Sequence, residues 1–182
     1  MSRKFTLTAV GGDRTGIVSA VTEALYKHNI NIEDSSMTRL GEEFAIILIM
    51  TSPDDVNTDG LKSTLKEVED KMALAIELKE LTESKAETVT GNHIITVYGA
   101  DQSGIVYKTS KLLADTGVSI TDLESKTGKG KENENKDIYI MVIEAHVPES
   151  LTTEELEEKL ATLAKEIGVH ITVKELEIFD SL

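Results

Sequence analysis

The sequence predicts an α+β chain built from two copies of one strand–helix–strand–strand–helix–strand unit. Three observations point there. The stretch GGDRTGIVSAV at 11–21 returns as GADQSGIVYKT at 99–109, so Asp13-x-x-Gly16-Ile17-Val18 falls on Asp101-x-x-Gly104-Ile105-Val106 at an offset of 88. The same offset places Leu25 on Leu113, Ile32 on Ile120 and Asp34 on Asp122. It then becomes 95, with Pro53 on Pro148, Leu61 on Leu156, Leu65 on Leu160 and Ile76 on Ile171. A repeat of this length is one structural unit used twice. The shift of 7 falls in the polar run KTGKGKENENKD at 126–137. Insertions settle in exposed loops, so a longer hairpin tip is expected there.

Each element follows from local pattern. FTLTAV (5–10) alternates as a half-buried strand does. Ile17, Val18, Val21, Ala24, Leu25 and His28 follow helical spacing, and His28 is expected to end that helix. NINIEDSSMTRL (29–40) reads as a polar, alternating strand, and Gly41 turns the chain. FAIILIM (44–50) is continuously apolar, as in a strand central to its sheet, and Pro53 ends it. Leu61, Leu65, Val68 and Met72 mark a second amphipathic helix, and IELKEL (76–81) is the last strand. Copy two runs the same way from HIITVYG (93–99) to ITVKELEIF (171–179).

This order is the split βαβ, ferredoxin-like plan: an antiparallel sheet with two helices on one face. The expected boundaries are a first domain at 1–84, a linker at 85–91 within the unpatterned TESKAETVTG, and a second domain at 92–182. The apolar third strand implies that the other sheet face is covered too, by the second unit or by a second chain.

Composition narrows the function. The 19 basic residues against 33 acidic ones give a net charge of −14, which repels a phosphate backbone. Lys126, Lys129 and Lys131 form the one small basic cluster. Aromatic residues are 4% of the chain and tryptophan is absent, which disfavours a base-stacking platform. Direct nucleic-acid binding is therefore not expected. No apolar run approaches the roughly 20 residues of a membrane span, and the N-terminus MSRKFTLTAV lacks the apolar core of a signal peptide. Cysteine is absent, so disulfides and thiolate sites are too. A cytoplasmic protein with no membrane association is expected.

The repeated turn is not a phosphate loop. GGDRTG has glycines at 11, 12 and 16 and matches neither G-x-G-x-x-G nor a P-loop. Its central acidic residue disfavours phosphate further. Two readings stay open on the residues alone. Asp13 and Gly16 make a tight turn, with Asp13 capping the helix. Or free N–H groups at the helix start hold a small anion such as an amino-acid carboxylate.

Tandem βαββαβ units with D-x-x-G-I-V at the first strand–helix turn resemble ACT domains. HNINIEDSS resembles the ACT pattern in which an Asn-Ile pair opens strand two. NIEDSSMTRLGEEF (31–44) is similar to the glycine cleavage system transcriptional repressor family, itself two ACT domains. The resemblance implies a small ligand, often an amino acid, bound at an interface between two units. The implied ligand-binding residues are Asp13, Arg14, Thr15, Gly16, Ile17 and Asn31 in copy one, and Asp101, Gln102, Ser103, Gly104 and Ile105 in copy two. Ser119 stands where copy one has Asn31, and Thr15 stands where many such loops have proline. If one copy alone binds, the resemblance favours copy one. A homodimer is expected. The resemblance further implies, as protein partner, a DNA-binding regulator engaged in response to glycine.

No catalytic set appears. The four histidines, at 28, 93, 146 and 170, lack metal-binding spacing. No G-x-S-x-G occurs. Glu42-Glu43 and Glu154-Glu155 read as solvated, and ENENKD (132–137) lacks calcium-loop spacing. The expectation is a non-catalytic amino-acid sensor without cofactor or metal. Two alternatives are a ligand-independent interaction module and the detached regulatory subunit of an amino-acid metabolic enzyme.

Overall fold

The computed structural model describes residues 3–81, 89–129 and 137–176. The chain divides into unit 1, Met1–Ala86, and unit 2, Glu87–Leu182. Most of the expected linker and hairpin tip lies outside the described residues, as do the calcium-like ENENK and the end of ITVKELEIF.

Unit 1 contains β1 (Arg3–Gly12), α1 (Ile17–Lys27), β2 (Asn31–Leu40), β3 (Glu43–Ser52), α2 (Thr58–Met72) and β4 (Leu74–Leu81). Its sheet order is β2-β3-β1-β4, with every pairing antiparallel. Alternation along β1 puts Phe5, Leu7 and Ala9 into the core. There they meet Ile17, Val21, Ala24 and Leu25 of α1, Leu61 and Leu65 of α2, and Phe44, Ile46, Leu48 and Met50 of β3. The opposite sheet face carries Val10 and Ile47, each about half exposed. The continuously apolar β3 is central, as expected. The polar β2 is an edge strand, exposed along nearly its whole length.

Unit 2 repeats the plan with β5 (His93–Ala100), α3 (Ile105–Asp115), β6 (Ser119–Gly128), β7 (Ile138–His146), α4 (Thr153–Ile167) and β8 (Val169–Glu175). Its sheet order is β6-β7-β5-β8. The bulge in β2 between Ile32 and Asp34 returns in β6 between Ile120 and Asp122. The two units therefore share their irregularities as well as their topology.

The helix ends explain several residues. His28 caps the C-terminus of α1, as expected, and its Nε2 lies 2.9 Å from Thr64 Oγ1 on α2. Asn57 caps α2 by accepting the Gly60 N–H at 3.0 Å. Thr152 and Glu155 form a reciprocal capping box on α4. His93 is buried between Asn92 Oδ1 at 2.7 Å and Thr153 Oγ1 at 2.9 Å, a structural role. Among the described residues no group of His, Cys, Asp or Glu could hold a metal ion, and no helix is long and apolar enough to cross a membrane.

Candidate ligand groove at the first strand–helix turn

The first glycine of the repeated motif serves packing. A Cβ at Gly11 would lie 2.8 Å from the Ala73 carbonyl oxygen and 2.9 Å from Leu74 Cδ2. At Gly99 it would lie 2.8 Å from Val169 Cγ1. The last strand of each unit thus runs too close to the first for any side chain there. The later glycines set the turn. Gly16 and Gly104 have φ of 96° and 95°, a left-handed conformation that L side chains rarely adopt. The Asp13 N–H donates to Glu42 O at 2.7 Å and the Asp101 N–H to Asp137 O at 2.8 Å, which fastens both turns alike.

One expectation fails here. Asp13 does not cap α1: the N-cap position is Gly16, and no side chain accepts a first-turn N–H. The left-handed glycine separates Asp13 from the helix start. The Asp13 carboxylate instead pairs with Arg39, its Oδ2 lying 3.2 Å from Arg39 Nη1.

That pair lies in a groove of about 480 Å³, lined by Asp13, Arg14, Gly16, Ile17, Val18, Ser19, Met37, Arg39 and Phe44. Phe44 and Ile17 are buried and supply apolar lining, while Arg39 is 65% exposed at its side chain. Two arginines and one aspartate are the charged residues of its lining. With glycine at the helix start, backbone lies open to the groove: nothing stands within 4 Å of where a Gly16 Cβ would be.

Of the residues expected in copy one, the groove brings together Asp13, Arg14, Gly16 and Ile17. Thr15 is exposed in the same turn and does not line it. Asn31 lies eight residues from Arg39 at the other end of β2, roughly 26 Å away at about 3.3 Å per residue. Within unit 1 it is not part of this groove.

In copy two, Asp101, Gln102, Ser103 and Gly104 form the equivalent turn and Ile105 is buried beneath it. Gln102 Nε2 donates to the Ile167 carbonyl at the end of α4, which ties the turn to that helix. Thr127 and Tyr139 pair across β6 and β7 as Arg39 and Phe44 pair across β2 and β3. The Tyr139 hydroxyl is buried without a hydrogen-bond partner.

Arg39, Met37 and Phe44 line the groove but are not among the ligand-binding residues expected from the sequence. Register is the signal that finds them. A hairpin turning at Gly41 pairs Arg39 with Phe44, and Phe44 pairs with Gly11, which delivers Arg39 to the turn after β1.

Comparison with known proteins agrees with this architecture. The family model described as ACT domain matches residues 4–79. The chain is 28% identical over 162 residues to the glycine cleavage system transcriptional repressor of Escherichia coli (strain K12), covering 89% of this chain and 84% of that one. It is 34% identical over 71 residues to a UPF0237 protein of Methanopyrus kandleri, covering 38% of this chain and 79% of that protein. A crystal structure of a protein from Galdieria sulphuraria superposes with a TM-score of 0.81 at 26% identity, covering 97% of this chain and all of that one. With two βαββαβ units, the shared turn and these matches, the chain belongs to the ACT-domain family.

Proposed function

We propose that this chain is a non-catalytic regulatory protein that senses a small ligand and passes the signal to a DNA-binding transcription regulator. An amino acid is the ligand class and glycine the leading candidate. The observation that carries this reading is the unit 1 groove, where opposite charges flank a buried apolar floor. The similarity to a repressor named for the glycine cleavage system, extending over 162 residues, supports the regulatory part. The acidic surface fits a protein partner better than nucleic acid. The working state of this reading is a cytoplasmic homodimer.

Ligand binding favours conformers that complete the groove and changes the surface offered to the regulator. Ligand and partner affinities are then coupled reciprocally.

A thermal-shift scan with the common amino acids tests the reading. Ligand at a hundred times its Kd stabilises by about 2.7 kcal/mol. For a chain of this length that is roughly 5–10 °C, at about 2–4 °C per kcal/mol. Gly16→Val should abolish the shift and Gly104→Val should keep it. The two glycines have matching φ, so both variants carry the same backbone strain and differ in the groove. No shift with any amino acid would replace the sensor by a ligand-independent interaction module.

A further inference from the structure

We propose that the Arg39–Asp13 pair is a zwitterion clamp and that Arg39 is the main determinant of ligand class in this groove. The inference rests on the amino-acid-sensor reading and adds residue roles to it. Arg39 takes the ligand carboxylate, Asp13 takes the ligand ammonium, and the direct Arg39–Asp13 contact opens to admit them.

Geometry carries this. The two groups line one groove and touch directly at 3.2 Å, so once they part a carboxylate and an ammonium one carbon apart can replace the contact with two of the same kind. Their positions allow it. Arg39 is a long side chain on the exposed edge strand β2, free to swing outward, whereas Asp13 is held by its N–H bond to Glu42 O. A guanidinium presents a planar fork that suits a carboxylate. Phe44, which pairs with Arg39 across the strands, forms the floor under this position.

The clamp selects by charge. A carboxylic acid without an ammonium leaves Asp13 unpaired beside the ligand. An amine without a carboxylate leaves Arg39 so. An amino acid satisfies both.

Arg14 lines the same groove and is the rival cation. Isothermal titration of the full chain decides between them, with glycine and alanine, their amides, and glycolate and lactate as probes. The clamp requires glycine or alanine to bind at least tenfold more tightly than its amide and its hydroxy-acid analogue. Arg39→Gln and Asp13→Asn should each weaken amino-acid binding at least tenfold, and Arg14→Gln less than threefold. Circular dichroism should show all three variants folded, since Arg39 and Arg14 are exposed and the Asp13 change keeps the shape of the side chain. If glycine or alanine binds wild type and the Arg39 and Asp13 variants alike, or if Arg14→Gln has the larger effect, the clamp is wrong and the sensor reading stands. If neither amino acid binds wild type, the clamp falls with the sensor reading for small amino acids.

Discussion

In unit 1 the turn after the first strand is flanked by Arg39 and floored by Phe44, whereas in unit 2 the matching places hold Thr127 and Tyr139. The backbones are near copies: the glycine φ values agree within a degree and the fastening hydrogen bonds within 0.1 Å. The difference lies in side chains brought in from the neighbouring hairpin. Unit 1 places charge on the groove. Unit 2 ties its turn to α4 through Gln102 and buries a hydroxyl that finds no partner. A repeated motif can thus keep its geometry in both copies while the surroundings give the two turns different side-chain neighbours. The same asymmetry appears at the helix ends. Asn29 and Ala73 take left-handed conformations in unit 1 where unit 2 uses Gly117 and Gly168.

The largest stability effect should come from exchanging the two aromatic floors. Phe44→Tyr would bury a hydroxyl in unit 1 and should cost about 1–3 kcal/mol. Tyr139→Phe removes the unpartnered one and should raise stability by about 1 kcal/mol. Chemical denaturation measures both, and a loss of stability in Tyr139→Phe would mean that the hydroxyl is satisfied in solution.

A smaller effect separates the helix ends. Ala73 has φ of 51°, a conformation that costs a non-glycine residue about 1–2 kcal/mol. Ala73→Gly should gain roughly 0.5–1 kcal/mol after glycine's own entropic cost. Gly168→Ala should lose a similar amount, about 0.5–1 kcal/mol, since its Cβ would meet nothing within 4 Å. Effects of the same sign in both units would break the comparison.

The smallest effect concerns acid. Arg3 grips Glu80 across β1 and β4 through two contacts of 2.8 Å, while Gly91 stands at the Arg3 place in unit 2. The hydrogen bonds from Arg3 hold the Glu80 carboxyl below its ordinary value. A depressed carboxyl contributes stability above the unfolded-state pKa, and that contribution fades as pH falls through the folded-state pKa. Glu80→Gln should therefore slightly flatten the loss of unit 1 stability below about pH 4.3. Hydrogen exchange of β1 amides against β5 amides reads it unit by unit.

Much of this was legible beforehand. The change of offset from 88 to 95 separated the copies, and the continuously apolar FAIILIM announced a central strand. Asp13, Arg14, Gly16 and Ile17 do share one groove. The misreading of Asp13 as a helix cap has a physical cause: aspartate often caps, and only the left-handed glycine shows that this one is turned away. Arg39 escaped because its neighbour in the groove is 26 positions distant, joined to it through two strand registers.

The amino-acid order by itself determined the repeat, the element types and the faces that form each core, because periodicity and glycine placement are local properties. Tertiary structure alone decided which cation meets Asp13, which turn is tied to a helix and which aromatic hydroxyl is stranded. Those outcomes depend on cross-strand register. A shift of one residue would turn Arg39 to the opposite face of its sheet and part it from Asp13.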